Sequence, residues 1–305
     1  MPRQSAHQSP LRLTDIAETQ DMVVSGMQLA SAGYDADASR RRVNSGEWQK
    51  IGHAFVLHSG VPSGDQLAWA AVLTAPGLVA LTSRSASKRY GLRGFAPDAV
   101  DILVPRCDGT PKRIEGVHWH LSRRFAERDI TPSFGLPMVS RGRAIIDAAV
   151  WTPQPRVACA LMVASVQQGV VPTVALKQHL AAAGAVRHAG ILRSIVADIE
   201  GGADSLSEID FIKLARKAGL PLPIQQSIRY DSAGRRRYLD VDFGTFAVEV
   251  DGGVHLRAQN YWADARRQND LVMSGDRILR FPSYAIRVDE DVVIAQLRRA
   301  HQVFG

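Results

Sequence analysis

The sequence predicts an α/β (α+β) multidomain protein with a winged helix at the N-terminus and a strand-rich layer at the C-terminus. Three observations lead to this prediction. Residues 13–62 follow the order helix, helix, helix, hairpin; residues 63–200 mix helix and strand signals; and residues 205–305 have a strand-rich centre between helices. At 305 residues the chain is long enough for two or three domains, each with its own core.

The N-terminal domain is expected to begin with a short amphipathic helix. Ser25 is a suitable N-cap for a second helix, which would end at Gly33. Either Asp35 or Asp37 would cap a third helix. Residues 48–58 then alternate loosely between apolar and polar side chains, which is typical of a two-stranded wing.

Helices and strands are both predicted beyond the wing. In the middle region we expect helices at 67–73, 83–91 and 141–150, strands at 100–105 and 117–121, and two or three Ala-rich helices between 157 and 200. A Gly-rich linker at 201–205 precedes the C-terminal domain. There we expect helices at 205–219, 262–274 and 289–303, and strands at 225–230, on both sides of Gly244-Thr245, and at 277–281.

The composition limits the classes of partner. Hydrophobic residues make up 46% of the chain and charged residues 22%, which excludes a wholly disordered protein. The formal charge of +7 favours a polyanion or an acidic membrane surface. Cys107 and Cys159 match no zinc spacing and suit a reducing compartment, and no stretch has the ~20 apolar residues of a membrane span. We therefore expect a soluble, cytoplasmic protein that spans no membrane.

The strongest functional signal is the segment 238–255, which reads YLDVDFGTFAVEVDGGVH. Apolar and acidic side chains alternate along it, so each type falls on its own face of the strands. The apolar face has Leu239, Val241, Phe243, Phe246, Val248 and Val250, and the acidic face has Asp240, Asp242, Glu249 and Asp251.

The turn of this hairpin determines which acids meet. If Gly244-Thr245 is a two-residue type II′ turn, Asp240 lies opposite Glu249, with Cβ atoms ~4.5–5.5 Å apart. Asp251 would lie on the same face, roughly 7 Å from Glu249. The same register pairs Phe243 with Phe246, Val241 with Val248, and Asp242 with Ala247. A three-residue turn would break this pairing.

Two carboxylates at this distance repel each other unless they share a proton or hold a cation. Converging carboxylates are ligands that Mg²⁺ or Mn²⁺ prefers, and a metal so held can activate water and stabilise charge on a phosphodiester. The sequence therefore predicts Asp240 and Glu249 as ligands of Mg²⁺ (or Mn²⁺). Asp242 is a weaker choice because it would lie opposite Ala247. The alternative is a solvent-facing hairpin that is merely acidic.

Glu208 is a further acid with two interpretations. It follows Ser205 in the pattern of a helix capping box, in which the glutamate reaches back to the backbone of the cap residue. This structural role explains Glu208 fully, and a role beside the hairpin acids remains open.

These motifs, in this order, resemble a known family. S-x-x-E on a helix, LDV on a strand, VEVDGGVH, and then DARRQNDLVMSGDRILRFP are similar to the uncharacterised domains related to very-short-patch mismatch-repair endonucleases, of the PD-(D/E)XK type. The resemblance covers about 205–300 and implies a restriction-endonuclease-like fold with a central mixed sheet. It also implies metal-dependent DNA cleavage, with Glu208 as the helix acid and with Asp240 and Glu249 as the strand acids.

One position departs from the wider superfamily, because Asp251 stands where the E-x-K motif has its lysine. That lysine helps to orient or deprotonate the attacking water and stabilises the transition state. His255, Arg266 or Arg267 would have to substitute for it, and His255 could act as a general base because the ordinary pKa of histidine is about 6.5. The structural alternatives are a loop histidine bonded to backbone and an arginine on a solvated helix face.

The N-terminal domain has a basic surface on its third helix and wing. Arg40, Arg41 and Arg42, with Lys50 and His53, would surround a helix that enters a DNA groove. Such cations contact phosphates and give affinity and register, whereas sequence choice requires contacts to base edges. The alternative is a charged helix face that only contacts water.

Residues 13–150 also resemble a family, through MQLASAG, RRRVNSGEWQKIGHAFVLHSG, SRSASKRYGL and VDILVP. These strings are similar to AbiEi-type antitoxins, and the resemblance implies a winged-helix DNA-binding regulator. His53-Ala54-Phe55 replaces the usual G-V-Y of that family.

The pair His118 and His120, on alternate positions around Trp119, suggests two metal ligands. With no third ligand nearby in the sequence, we interpret this segment as a half-exposed strand.

Two functions follow from these signals. The first is a metal-dependent endonuclease that carries its own reader of double-stranded DNA. The second is a DNA-binding regulator of antitoxin type, with a toxin or other protein partner, whose nuclease-like domain has lost cleavage. The four acids on one face favour the first function, and the absent lysine favours the second. The target site and the oligomeric state are not encoded in a recognisable pattern.

Overall fold

The computed structural model describes residues 13–106, 111–133, 135–202, 211–230, 236–251, 277–282 and 285–305. Within these ranges the protein is of the mixed α/β class, with helices and three β-sheets. The chain divides into two compact units, Met1–Ala144 and Ile145–Gly305. Among the described residues, no helix combines the length and the apolar character that crossing a bilayer requires.

The first unit begins with three helices and a three-stranded antiparallel sheet in the order β1-β3-β2. The elements are α1 (Leu13–Thr19), β1 (Val23–Ser25), α2 (Gly26–Ser31), α3 (Ala36–Asn44), β2 (Gln49–Ile51) and β3 (Ala54–Val56). The predicted helices and hairpin are confirmed. Strand β1 was not predicted, because its three residues between two helices have no periodicity of their own.

Local side-chain caps explain where α2 and α3 begin. Ser25 and Gln28 form a reciprocal capping box at the start of α2. Of the two candidate caps for α3, the structure selects Asp35, whose Oδ1 accepts a hydrogen bond of 2.6 Å from the Ala38 N–H. Asp37 instead forms an ion pair with Arg40. These helices pack around a core that contains Ala17, Val24, Leu29 and Trp48.

The remainder of the first unit contains a five-stranded mixed sheet in the order β6-β5-β4-β8-β7. Its elements are α4 (Gly64–Thr74), β4 (Ala80–Leu81), α5 (Ser83–Arg89), β5 (Val100–Pro105), β6 (Val117–Ser122), a 3₁₀ turn (Glu127–Asp129), β7 (Ile130–Ser133) and β8 (Leu136–Val139). Helices α4 and α5 and strands β5 and β6 confirm the sequence predictions. Strands β4, β7 and β8 are two to four residues long, too short for an alternation to be recognised.

The second unit begins within α6 and continues with further helices. They are α6 (Arg141–Trp151), α7 (Pro155–Gln167), α8 (Thr173–Ala183) and α9 (Ala189–Ala197), which is followed by a π-helical turn (Asp198–Gly202). The predicted Ala-rich helices are confirmed; α7 and α8 end close to Gly169 and Gly184, whose φ angles are positive at 69° and 70°.

A four-stranded mixed sheet in the order β12-β11-β10-β9 follows in the second unit, with β12 parallel to β11 and the other pairs antiparallel. The elements are a helical segment α10 (211–217), β9 (Ile224–Tyr230), β10 (Arg236–Asp242), β11 (Ala247–Asp251), β12 (Ile278–Pro282), α11 (Ala285–Val288) and α12 (Glu290–Phe304). One sheet face packs on α10 and α12 through residues such as Phe211, Val241, Val248, Phe281 and Leu297. The predicted helix at 262–274 lies outside the described residues.

Candidate functional site

The acidic hairpin has the register that the sequence predicted. Val241 pairs with Val248 and Asp242 with Ala247. The turn contains two residues, because the Phe243 N–H donates a hydrogen bond of 2.9 Å to the carbonyl of Phe246. Gly244 has a φ of 84°, and Thr245 is not among the residues with positive φ, as a type II′ turn requires.

This register determines the positions of the predicted metal ligands. The observed register ends with the Val241–Val248 pair. One step further, antiparallel geometry would set position 240 of β10 opposite Glu249 of β11. The Phe243–Phe246 pair is hydrogen-bonded, so by alternation the 240–249 pair is of the non-hydrogen-bonded type, in which Cα atoms lie ~4.5 Å apart. Asp251 ends β11, two residues after Glu249. The side chains of Asp240 and Asp251 lie outside the described part of the structure.

The two faces of the hairpin are unlike, as predicted. Val241, Phe246 and Val248 are buried in the core of the second unit. On the other face, Asp242 is 5% exposed and the Glu249 side chain is 16% exposed. A solvated acidic hairpin is therefore the wrong interpretation for these two acids. Oδ1 of Asp242 accepts a hydrogen bond of 2.8 Å from the Gly244 N–H, which gives this residue a role in the turn.

Arg280 is the residue of this face that sequence reasoning missed. It lies on β12 directly beside Glu249, and its Nη2 is 2.6 Å from Oε2 of Glu249. The Arg280 side chain is 24% exposed, so both members of the ion pair are largely withdrawn from water. A charged residue between Leu279 and Phe281 in a predicted strand was a visible signal, but its partner depends on the parallel pairing of β11 with β12.

Glu249 is the one predicted metal ligand on this face whose side chain lies in the described part of the structure. Carboxylates on adjacent strands are suitable ligands for Mg²⁺ or Mn²⁺, and Asp240 and Glu249 would hold it. A carboxylate has two oxygens and about four acceptor directions, so the Arg280 contact at Oε2 is compatible with a metal ligand role for Glu249. Among the side chains that the structure describes, no three His, Cys, Asp or Glu residues form a metal-binding group. That statement includes Glu249 but not the carboxylates of Asp240 and Asp251.

Several other predicted residues of this site have no structural description. Glu208, the predicted helix acid, and His255, Arg266 and Arg267, the predicted substitutes for lysine, all lie outside the described residues. Their roles stay as sequence predictions.

In the first unit, the residues predicted to contact DNA fall into separate groups. Arg40 of α3 and Lys50 of β2 line one groove of about 330 Å³. The groove also contains apolar and aromatic surface from Tyr34, Val43 and Phe55, and the Lys50 Nζ lies 5.6 Å from the centroid of the Phe55 ring. Two of the predicted cations are therefore brought together beside an aromatic surface.

Arg42 has a different environment from Arg40. Its guanidinium carbon lies 5.1 Å from the Trp48 ring centroid and 5.7 Å from the Tyr34 ring centroid, and it forms an ion pair with Glu47. Arg41 is exposed. The arginine triplet thus divides between the groove, the aromatic core of this unit and solvent.

His53 lies in the turn of the β2–β3 hairpin. Its backbone N–H donates a hydrogen bond of 2.9 Å to Oγ1 of Thr74 in α4, while its side chain is exposed. The preceding Gly52 has a φ of 62°, and a Cβ there would lie 2.3 Å from Oγ1 of Thr74. The turn therefore rests closely on α4 and requires glycine at this position.

The histidine pair on β6 has an acidic neighbour that the sequence did not indicate. Nε2 of His120 lies 2.9 Å from Oδ1 of Asp101, and Nδ1 of His118 lies 4.0 Å from the same oxygen. Asp101 reaches this position because β5 and β6 are parallel neighbours. The prediction of a half-exposed strand is confirmed, because Val117 is buried, His118 and Leu121 are exposed, and the other residues of β6 are half-buried.

No model of a known protein family matches the chain, and no curated protein matches its sequence.

Proposed function

We propose that this protein binds double-stranded DNA through its N-terminal domain and hydrolyses DNA phosphodiesters through a metal-dependent, endonuclease-like C-terminal domain. The observation that carries the proposal is the pairing of Val241 with Val248 and of Asp242 with Ala247. Continued by one residue, this register would set Asp240 opposite Glu249, on the face away from the core. Two carboxylates at such a separation require a cation, a shared proton or a positively charged neighbour, and the Glu249 side chain is largely withdrawn from water.

We assign a restriction-endonuclease-like fold to 205–305 within this proposal. The supporting features are a central mixed sheet and helices on its apolar face. Asp240 and Glu249 would hold Mg²⁺ or Mn²⁺, which when bound lowers the pKa of water and neutralises charge on the phosphate. Glu208 would complete the acidic set, and His255 or Arg267 would assist proton transfer or charge stabilisation.

We assign a winged helix to 13–62, with α3 as the helix that enters the groove of DNA. Its support is the order of three short helices and a β1-β3-β2 sheet, together with the cations Arg40 and Lys50 beside one groove. Exposed Arg41 and His53 would add contacts to phosphates. The net charge of +7 favours a polyanionic partner. Within this proposal the protein acts in the cytoplasm.

The second candidate function is a DNA-binding regulator of AbiEi antitoxin type with an inactive nuclease-like domain, acting with a toxin or other protein partner. Asp251 favours it, because an acid there replaces the lysine that the nuclease resemblance leads one to expect. Both candidates predict DNA binding, and they differ in cleavage.

Plasmid nicking separates the two functions. The purified full-length protein is incubated with supercoiled plasmid and Mg²⁺ or Mn²⁺, beside Asp240→Ala, Glu249→Ala and the control Asp291→Ala, which removes an exposed acid from α12. We expect nicking by the parent and the control, and none by the two hairpin variants. Nicking at equal rates by all four proteins would indicate a contaminating nuclease. Absence of nicking by the parent would favour the second candidate function, a DNA-binding regulator.

A further inference from the structure

We propose that Arg280 is the positioning residue of the carboxylate site and supplies the positive charge that a phosphodiester needs beside these acids. The inference rests on the proposed function and adds a residue from a strand outside the acidic hairpin. Its basis is the contact of 2.6 Å between Nη2 of Arg280 and Oε2 of Glu249.

The sheet register brings Arg280 to the acidic face. Parallel pairing of β11 with β12 sets Glu249 beside Arg280, between the pairs Val248–Leu279 and Val250–Phe281. The side chains of those flanking pairs belong to the apolar core or pack against it. Because strand side chains alternate, Arg280 lies on the opposite face, in one row with Glu249 and position 240.

Stability alone does not account for this ion pair. Both side chains are largely withdrawn from water, and moving two charges out of water costs several kcal/mol per ion before their attraction is counted. A well-packed apolar pair at such positions is often neutral or more stable. A charged pair that occupies two adjacent sheet strands and also adjoins a further acid position is therefore a candidate for a functional role.

The chemistry of the pair suits an anionic substrate. A phosphodiester is negatively charged, so Glu249 and the acids at positions 240 and 251 would repel it. Arginine has five N–H donors in a rigid plane, which match carboxylate and phosphate oxygens equally well. Arg280 forms an ion pair with Oε2 of Glu249 and so reduces the negative charge that an incoming phosphate meets.

The position of this cation also explains the departure at Asp251. A lysine at position 251 would stand two residues along β11 from Glu249. Arg280 stands instead one strand across, on β12. The same kind of charge therefore reaches Glu249 from a neighbouring strand, so an acid at position 251 is compatible with cleavage.

The test compares full-length parent protein with Arg280→Gln, Arg280→Lys and Glu249→Gln. The matched control is Arg277→Gln, which removes an exposed arginine that precedes β12 and contacts the Phe304 ring at 4.8 Å. Three quantities are measured: Mn²⁺ affinity by calorimetric titration, single-turnover nicking at saturating plasmid, and melting temperature.

We expect Arg280→Gln to slow nicking at saturating plasmid by roughly 10²–10³-fold, the effect of removing one charge-stabilising donor. Arg280→Lys should recover part of the rate, because it keeps the charge but loses the planar geometry. Arg280→Gln should bind Mn²⁺ on the order of tenfold more tightly, because a positive charge beside a metal ligand has been removed. Arg277→Gln should match the parent in nicking rate and in Mn²⁺ affinity.

Two results would overturn the role of Arg280 and leave the proposed function standing. The first is that Arg280→Gln nicks plasmid and binds Mn²⁺ as the parent does, while Glu249→Gln is inactive. The other is weaker Mn²⁺ binding with a lowered melting temperature in both Arg280 variants, which a purely structural role produces. A parent that neither binds Mn²⁺ nor nicks plasmid would instead refute the proposed function itself.

Discussion

Asp198 and Arg287 form a buried ion pair in which Nη1 of Arg287 donates a hydrogen bond of 2.7 Å to Oδ2 of Asp198. The side chain of Asp198 is only 2% exposed. Asp198 follows α9 and Arg287 belongs to α11, so the pair joins the helical part of the second unit to its sheet-bearing part. Removing one partner of such a pair leaves a charge in a poorly solvated position.

We therefore expect Arg287→Met to lower the free energy of unfolding by about 3–5 kcal/mol. The double variant Asp198→Asn with Arg287→Met should recover part of that loss, because no buried charge is then left without its counter-ion. Urea unfolding followed by circular dichroism measures both. The control is Lys177→Met, which breaks an exposed ion pair with Glu200 and should cost at most about 1 kcal/mol. Equal losses in Arg287→Met and Lys177→Met would contradict the prediction.

The thiol of Cys159 makes stability depend on pH in the alkaline range. Its pKa is raised from 9.0 to about 12, chiefly because the thiol is buried; Arg287 lowers the pKa, and the carboxylates of Asp198 and Asp289 raise it. Above pH 9 the unfolded thiol loses its proton while the folded thiol keeps it. Stability from this group is therefore complete below pH 9 and is lost as the pH rises from 9 towards about 12.

We expect the difference in unfolding free energy between the parent and Cys159→Ala to change by about 1.4 kcal/mol per pH unit above pH 9. Other titrating groups are common to both proteins and cancel in this difference. Urea unfolding at several values between pH 8 and pH 10.5 provides the measurement. A difference that stays constant across this range would show that the Cys159 thiol titrates alike in the folded and unfolded chain.

DNA binding should depend unequally on the arginines of α3. Arg40→Ala and Lys50→Ala remove cations from one groove, so each should weaken duplex binding and reduce the slope of log affinity against log salt by about one. Arg42→Ala should mainly lower the melting temperature, because it removes contacts with the Trp48 and Tyr34 rings.

Fluorescence anisotropy with a labelled duplex at several salt concentrations tests this division. Arg128→Ala, which removes an exposed arginine from the 3₁₀ turn, controls for the loss of net charge. Replacement of Arg40, Arg41 and Arg42 together should flatten the salt dependence further. An unchanged affinity and slope in that triple variant would refute the assignment of α3 to DNA.

The cap of α3 can be tested separately from its charge. Asp35→Ala removes the acceptor for the Ala38 N–H and should cost about 1 kcal/mol of stability, whereas Asp35→Asn keeps an acceptor and should cost less. Thermal unfolding of the full chain measures both variants. Asp37→Ala, at the other candidate cap position, should change the melting temperature little because its partner is the exposed Arg40. A larger loss in Asp37→Ala than in Asp35→Ala would reverse the assignment of the cap.

Features that depend on neighbouring residues could be read directly from the sequence. The Ser25 cap needs only Gln28, three positions away, and the turn at Gly244 determines the register of the hairpin strands that adjoin it. Alternation then assigns each hairpin side chain to a face, so Val248 in the core and Glu249 away from it follow from the pattern. Short-range geometry leaves few alternatives to such predictions.

Tertiary structure alone decided which distant residues meet. Glu249 contacts Arg280 and Asp101 contacts His120 because parallel strands pair, and parallel pairing joins segments that a crossover separates along the chain. Arg42 contacts the Trp48 ring, whereas Arg40, two residues earlier on the same helix, lines the groove. The sequence by itself determined the secondary structure around the acids and their order on the strands. Which basic residue lies beside each acid depends on the order of strands in the sheet, and no local pattern in the sequence indicates that order.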